Sequence, residues 1–489
     1  MRKLNDVFYR LCSNIVIFCI TVVKGFFVPA YLGPSMYGIV SFLTLVKTVL
    51  GFSSIGVDQA YLRLSLAMRG GGESHENIKR LQNTVFSFLA ITGTAGSIIT
   101  VALPFIFPRE TPDLQCIMVF AFGVTAVQHL CAMIGGYFYN TCVIDKRFVF
   151  ISRLNVLQIF LNVVILLATV FYWKIYGVFL AELISVLVVQ FFYTLRCGTK
   201  PSFEFDKHEF KKIFKYAIPF SLTNVSFYFA RMIDKTIILF YLTMGDLGLY
   251  TFALNITTHS RILYKSVADV LSPYFLEEIG TSEYVFSLGA KIKFHTLCIA
   301  ALSTFISINI ILFGDVLQII LPKYMDSIFV LKILMINSYV STITVFQSLL
   351  LGAPNIKKQN LLNVFMAVAG AVNCGISIVL IKVGWGINGV AWGTLVSMVV
   401  WQGLVLWASH KHYLETLNGD YYVRLILPVG LMLATVGYTQ RHMIIESTSV
   451  LFVCVGLNLL VFAIYFKETW RIIQIIRKWL SARVKKNEQ

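Results

Sequence analysis

The sequence predicts an all-α polytopic membrane protein: about fourteen transmembrane helices, arranged as two parallel six-helix lobes followed by two extra helices. Three observations predict it. Of 489 residues, 57% are hydrophobic and only 13% charged, with a mean hydropathy of +0.76, where a soluble domain is about 25% charged. Apolar stretches of about 20 residues recur along the whole chain, each long enough to cross a ~30 Å hydrocarbon core. The first half of the sequence also repeats in the second. The stretches are continuously apolar rather than alternating, so they read as helices, not barrel strands.

Taken in order, the first span lies at 9–30, behind Arg2 and Lys3. It has the outline of a signal peptide, but the run is too long and no A-x-A site follows, so it reads as a retained helix. Spans at 37–62, 84–107, 115–140, 149–171 and 176–195 complete a first lobe, 1–200. Spans at 214–241, 247–275, 294–320, 327–352, 361–381 and 387–408 form the second, 201–415. Two more, at 423–439 and 448–466, occupy 416–466, and a basic tail fills 467–489. With the N-terminus in the cytoplasm, the inner loops carry about 29 of the 41 Lys and Arg and the outer loops about 5, as the positive-inside rule requires. One missed span in the middle would scramble that bias, so both termini are expected in the cytoplasm.

Several function classes drop out. A net charge of +17 would suit nucleic acid in a soluble protein, but here the cations sit mostly in loops. Most of the nine cysteines fall inside apolar spans and no C-x-x-C pair exists, so they read as small core residues, not disulfides or metal ligands. No G-x-x-x-x-G-K-[ST] occurs, and Gly70-Gly71-Gly72 reads as a flexible loop.

The duplication is visible at an offset of about 210. Ser13-Asn14 falls on Thr223-Asn224, Tyr31-Leu32 on Tyr241-Leu242, and Ser41-Phe42 on Thr251-Phe252. Near the ends of the halves the offset is 212: Trp173, Ile175 and Gly177-Val178 match Trp385, Ile387 and Gly389-Val390. An even number of helices per unit points both units the same way. Parallel repeats are an arrangement that transporters use, with substrate held between the lobes.

Charges inside the spans cost about 2.5–3.5 kcal/mol each near the bilayer centre, so they mark sites. Lys24, Lys47, Arg231, Lys235, Arg261, Lys265 and Lys332 are such cations; Asp58, Glu182, Asp234 and Asp269 are such anions. In the second span Thr44, Lys47, Gly51, Ser54 and Asp58 follow a 3-4-3-4 spacing, and in the eighth Thr258, Arg261, Lys265, Ala268 and Ser272 do the same. Two readings stand side by side. In one, Lys24, Lys47, Arg231, Lys235, Arg261 and Lys265 line a wet cavity for an anionic headgroup, which their charge-assisted donors suit. In the other they pair internally, Arg231 or Lys235 with Asp234 and Lys265 with Asp269, while Lys24 and Lys235 snorkel. Asp58, Asp234 and Asp269 could carry a coupling proton or sodium ion, or be plain salt-bridge partners. His129 reads as a packing residue. The tail alternates Trp470, Ile472, Ile473, Ile476 and Trp479 with cations, as an amphipathic helix on an anionic leaflet does.

The segment Pro29-Ala-Tyr-Leu-Gly33-Pro-Ser-Met-Tyr37-Gly38 resembles the start of polysaccharide-export flippases of the multidrug/oligosaccharidyl-lipid/polysaccharide (MOP) superfamily. So do Gly56-Val57-Asp58 with Arg63, Ala217-Ile218-Pro219, Asp234-Lys235 and Gly248-Leu249-Tyr250, in that order over nearly the whole chain. The resemblance implies an O-antigen (Wzx-type), capsule or exopolysaccharide flippase in the bacterial inner membrane. Such a protein moves an undecaprenyl-pyrophosphate-linked oligosaccharide from the cytoplasmic to the periplasmic leaflet by alternating access. It implies the polyprenyl-linked glycan, membrane lipid and glycan polymerase machinery as partners, coupling to H+ or Na+, no other cofactor and no enzyme activity. Carried onto this chain, the cavity candidates are Lys24, Lys47, Arg261 and Lys265. Related lipid II flippases use cavity arginines where this chain has Lys24 and Lys47, and a lipid II flippase is one alternative. A drug or metabolite antiporter of the same superfamily is another, though cationic drugs need a carboxylate-rich cavity. A membrane glycan polymerase or ligase is a third, and the outer loops are too short to build its site.

Overall fold

The computed structural model describes residues 2–70, 73–106, 112–198, 200–281, 285–352, 358–413, 419–441, 449–471 and 474. Within these, the side chains of 2–15, 265–288, 411–413 and 449–451, and of scattered residues, most of them near 219–231, are not described. The described chain is helical throughout, with no strand among the described residues. It divides into two compact units, Met1–Tyr228 and Phe229–Gln489.

The first unit contains α1 (Arg2–Leu32), α2 (Pro34–Leu50), α3 (Val57–Gly70), α4 (His75–Ile106), α5 (Pro112–Ile144), α6 (Phe148–Arg196) and the start of α7 (Lys207–Tyr241). α1 ends at Gly33, whose φ of 76° turns the chain, and Pro34 opens α2 at a position where its missing N–H costs nothing. The sequence predicts one continuous span over 37–62. Instead, α2 stops at Leu50, a 3-10 turn covers Gly51–Ser54, and Ile55 and Gly56 take φ of 47° and 71° before α3 begins. Asp58 therefore leaves the face that carries Lys47. It sits in the first turn of α3, where its carboxylate accepts from Ser54 Oγ at 3.2 Å and favours the positive helix end.

α6 is a single helix of 49 residues by its hydrogen bonding but not by its backbone. At 1.5 Å per residue it would run about 74 Å, over twice the ~30 Å core. Lys174, at φ 46° and ψ −121°, breaks it, so it supplies the two spans predicted at 149–171 and 176–195. Gly177 packs against the Thr169 backbone across this break, where a Cβ would fall 2.8 Å from Thr169 C. The halves of α6 pack on α1 and α5, and α4 packs along α5. Tyr61 and Tyr137 stack in this core, with centroids 5.5 Å apart, and the Tyr61 hydroxyl bonds to Thr141.

The second unit contains the rest of α7, α8 (Met244–Thr281), α9 (Val285–Phe313), the short α10 (Val316–Ile320), α11 (Ser327–Val340), α12 (Val345–Leu351), α13 (Gln359–Lys382), α14 (Gly386–Tyr413), α15 (Gly419–Arg441) and α16 (Ser449–Ile464). α11 is buried nearly all round and packs on α8, α9 and α14, while α15 and α16 dock on α9. The span predicted at 327–352 is α11 and α12 bent by 47°. Among the described residues, eight helices are each long and apolar enough to cross a membrane, or nine with that bent pair. Counting α6 twice, adding the shorter apolar stretches Val16–Leu32 and Phe452–Ile464, and adding the charged α7 and α8, every one of the predicted spans falls on a helix. Of the tail, Glu468 accepts from Arg424 at 2.8 Å and the Arg471 guanidinium lies 5.0 Å over Phe294; residues from 475 onward lie outside the described residues.

Candidate functional site

In the first unit, three charges meet deep in the bundle. α1 carries Lys24, α2 carries Lys47, and the second half of α6 carries Glu182. Lys47 Nζ donates to Glu182 Oε2 at 2.8 Å, and Lys24 Nζ lies 3.6 Å from Oε1 and donates to Asn162 Oδ1 at 2.8 Å. Two cations thus share one carboxylate, which leaves a formal charge of +1. The pairing is not sealed: the side chains of Lys24, Lys47 and Glu182 are 27%, 30% and 24% exposed. They open onto a cavity of about 630 Å³ between α5 and the two halves of α6, within the size range of ligand sites. Asn155, Gln158 and Gln190 line it with them, so its polar wall is rich in amides. His129 lies at its edge, bonded to Ser53 and packed against Gly96, in keeping with a packing role.

In the second unit the repeat carries a different chemistry. Asp234, on α7, is buried, and both its carboxylate oxygens are taken by neutral donors: Asn373 Nδ2 at 2.6 Å and Tyr250 Oη at 2.7 Å. Thr394 Oγ1 stands 3.3 Å from Tyr250 Oη, and Ser377 Oγ donates to Asn373 Oδ1 at 2.9 Å. Lys235 is buried on the following position. At the offsets of the duplication, Asp234 stands where the first unit has Lys24 and Thr394 where it has Glu182, and Asn373 lies one position from the place of Asn162, at an intermediate offset of 211. The amide turns accordingly: Asn162 accepts from an ammonium through oxygen, and Asn373 donates to a carboxylate through nitrogen.

Other sequence candidates fall elsewhere. Arg261 is half-buried on α8, within hydrogen-bonding reach of Tyr264, whose hydroxyl bonds to Ser338. The side chains of Arg231, Lys265 and Asp269 lie outside the described residues. Lys332 is locked: its ammonium bonds to Asp315 Oδ1 at 2.7 Å and Thr439 Oγ1 at 2.9 Å with the side chain 2% exposed. Sequence reasoning marked Glu182 as an in-span charge but not as the shared partner of two lysines. It missed the amides altogether, although Asn155, Gln158 and Asn162, spaced by three and four within an apolar run, are the signal that finds them.

The sequence profile described as polysaccharide biosynthesis protein matches residues 30–277, just over half of the chain. The chain belongs to that family. It has the all-helical fold of MOP-superfamily transporters. The lipid II flippase MurJ in its inward closed conformation superposes with a TM-score of 0.73 at 12% identity, covering 96% of this chain and 99% of that one. An inward-facing multidrug resistance MATE transporter of the MOP superfamily gives 0.65 at 14% identity, covering 83% and 98%. A MOP-superfamily transporter from Pyrococcus furiosus, described as having a binding pocket of reversed polarity, gives 0.56 at 14% identity, covering 83% and 94%. Among curated proteins, no sequence matches the chain. The matched span of this polysaccharide biosynthesis family member runs from the end of α1 to α8 and includes Lys47, Glu182 and Asp234, but starts after Lys24.

Proposed function

We propose that this protein is a flippase that carries a polyprenyl-pyrophosphate-linked oligosaccharide from the cytoplasmic to the periplasmic leaflet of the bacterial inner membrane. The observation that carries the reading is the pair of partly exposed lysines, Lys24 and Lys47, sharing Glu182 beside an open cavity inside the membrane-spanning bundle. An ammonium fixed at a cavity wall has been desolvated in advance, so a diphosphate entering there gains charge-assisted bonds without ordering new cations. Glu182 bridges the two lysines and holds them in place while the site is empty. When the diphosphate arrives, its oxygens compete with that carboxylate for the same ammonium groups. The cavity is offered to one leaflet and then the other by alternating access, with the lipid tail remaining in the bilayer.

Asp234 is the group assigned to ion coupling. It is a buried carboxylate whose hydrogen bonds, among the described residues, come from neutral donors, the Asn373 amide N–H and the Tyr250 hydroxyl, with the Thr394 hydroxyl beside Tyr250, a setting in which the carboxylate can take up a proton. The chain's own part is to hold the carboxylate fixed through Asn373 and Tyr250 and to keep lipid from it. An O-antigen, capsule or exopolysaccharide unit is the cargo class, and the glycan polymerase machinery is the downstream partner.

The test is deletion in the native host followed by analysis of the lipid-linked oligosaccharide on each leaflet, with complementation by variants. Lys47→Ala and Lys24→Ala are expected to cut surface glycan about tenfold or more, by loss of charge-assisted bonds worth about 1.5–3 kcal/mol each, while the protein stays in the membrane. Full glycan display by the double variant would overturn the assignment. Asp234→Asn is expected to leave cargo binding intact and to remove the dependence of transport in vesicles on an imposed ion gradient.

A further inference from the structure

The cavity holds more polar capacity than an anion site needs. Gln128 is 8% exposed, faces the cavity, and has neither amide atom bonded among the described residues. Tyr193 Oη and Gln190 Nε2, on the opposite wall, are likewise buried without a bond among the described residues. Buried polar groups in folded proteins are nearly always satisfied, so these point to a partner that occupies the space. The wall is also shaped for one. Gly135 lets Gln190 approach, since a Cβ there would fall 2.5 Å from Gln190 Oε1, whereas a Cβ on Gly136 would meet nothing within 4 Å and so faces the open cavity. Asn155 and Gln158 stand on the first half of α6, two turns and one turn before the Asn162 that bonds Lys24.

The chemistry of these groups selects among ligands. A primary amide donates and accepts at once, as a sugar hydroxyl does. An alkyl chain would leave the amides unsatisfied at a cost of about 1–3 kcal/mol for each buried group. A second phosphate would call for further cations, and the cavity's charges are Lys24, Lys47 and Glu182. We propose that Gln128, Asn155, Gln158 and Gln190 form a saccharide subsite, which takes the hydroxyls or acetamido group of the sugar joined to the diphosphate. The inference rests on the flippase reading for the identity of the diphosphate. It makes the first sugar, and not the lipid carrier, the part of the cargo that this wall discriminates.

The experiment uses the purified full-length protein in nanodiscs. The probes are undecaprenyl pyrophosphate and the same lipid capped with glucose, galactose or N-acetylglucosamine, with dissociation constants measured for wild type, Gln158→Leu and Gly136→Leu. At least one capped lipid is expected to bind the wild type about tenfold or more tightly than the bare lipid, the equivalent of one or two neutral hydrogen bonds. Gln158→Leu removes the amide and Gly136→Leu fills the open space. Both are expected to shrink that preference towards one while still binding the bare lipid, which also shows that they are folded. Equal binding of bare and capped lipids by the wild type, meaning that only water fills the wall, overturns the subsite and leaves the flippase reading standing. So does a preference that both variants keep. Binding of no lipid, bare or capped, overturns the flippase reading and this inference together.

Discussion

Lys24 and Lys47 illustrate how a charge inside a membrane protein is made tolerable without being spent. Each gains a carboxylate partner in Glu182, and each stays partly open to the cavity. Glu182→Gln separates the two roles. Removing the carboxylate leaves two like charges adjacent, so the melting temperature in detergent is expected to fall. The lysines no longer have an internal competitor, so the affinity for inorganic pyrophosphate is expected to rise about tenfold, about 1.4 kcal/mol. A drop in both quantities, read by thermal unfolding with and without pyrophosphate, would show Glu182 to be a ligand-positioning group and not a competitor. Lys332 is the contrasting case. It is sealed against Asp315 and Thr439, and breaking such a pair leaves a buried charge uncompensated at about 3–5 kcal/mol. Lys332→Met is expected to lower stability by that amount, and Lys332→Met with Asp315→Leu to recover much of it, with pyrophosphate binding unchanged in the double variant.

At the scale of the elements, breaks do the positioning. The turn at Ile55 and Gly56 ends the α2 face that bears Lys47 and sends Asp58 to cap α3. Gly56→Val forces a branched side chain to φ near 71°, a conformation costing about 1–3 kcal/mol at such positions, and is expected to lower both the melting temperature and glycan export. Lys174 already sits at φ 46° and ψ −121° between the halves of α6. Lys174→Gly is therefore expected to stabilise by about 1 kcal/mol or more, measured as a raised melting temperature. The sequence predicted two spans on either side of this residue, 149–171 and 176–195, with Lys174 in the outer loop between them. It did not predict the break after Leu50, because glycine and serine are common inside membrane helices and hydropathy does not sense φ.

For the whole molecule, the inward bias of Lys and Arg predicts an orientation that labelling can check. In a chain freed of its nine cysteines, single cysteines at 174 and 382 are expected to react with an impermeant thiol reagent applied to the periplasmic side. Cysteines at 146 and 200 are expected to react only after the membrane is opened. Reaction of all four from one side would undo the topology and with it the direction of transport. The duplication, equally, is a property of the whole chain. Its two copies place Lys24 and Asp234 at corresponding positions on α1 and α7, the first in an internal ion pair and the second a carboxylate hydrogen-bonded to neutral partners.

The amino-acid sequence by itself determined the membrane class, the positions of the helices and the internal repeat, because burial in hydrocarbon is enforced residue by residue and leaves its mark in local composition. Which charges are joined was decided only by the tertiary structure. Lys47 and Glu182 lie 135 positions apart, and Thr439, the neutral second partner of Lys332, lies 107 positions from it; no local pattern reports a meeting that depends on how whole helices pack. The amide wall of the cavity became visible for the same reason: Gln128, Gln158 and Gln190 stand on three separate stretches of helix and acquire a common purpose only when α5 and the halves of α6 enclose one space.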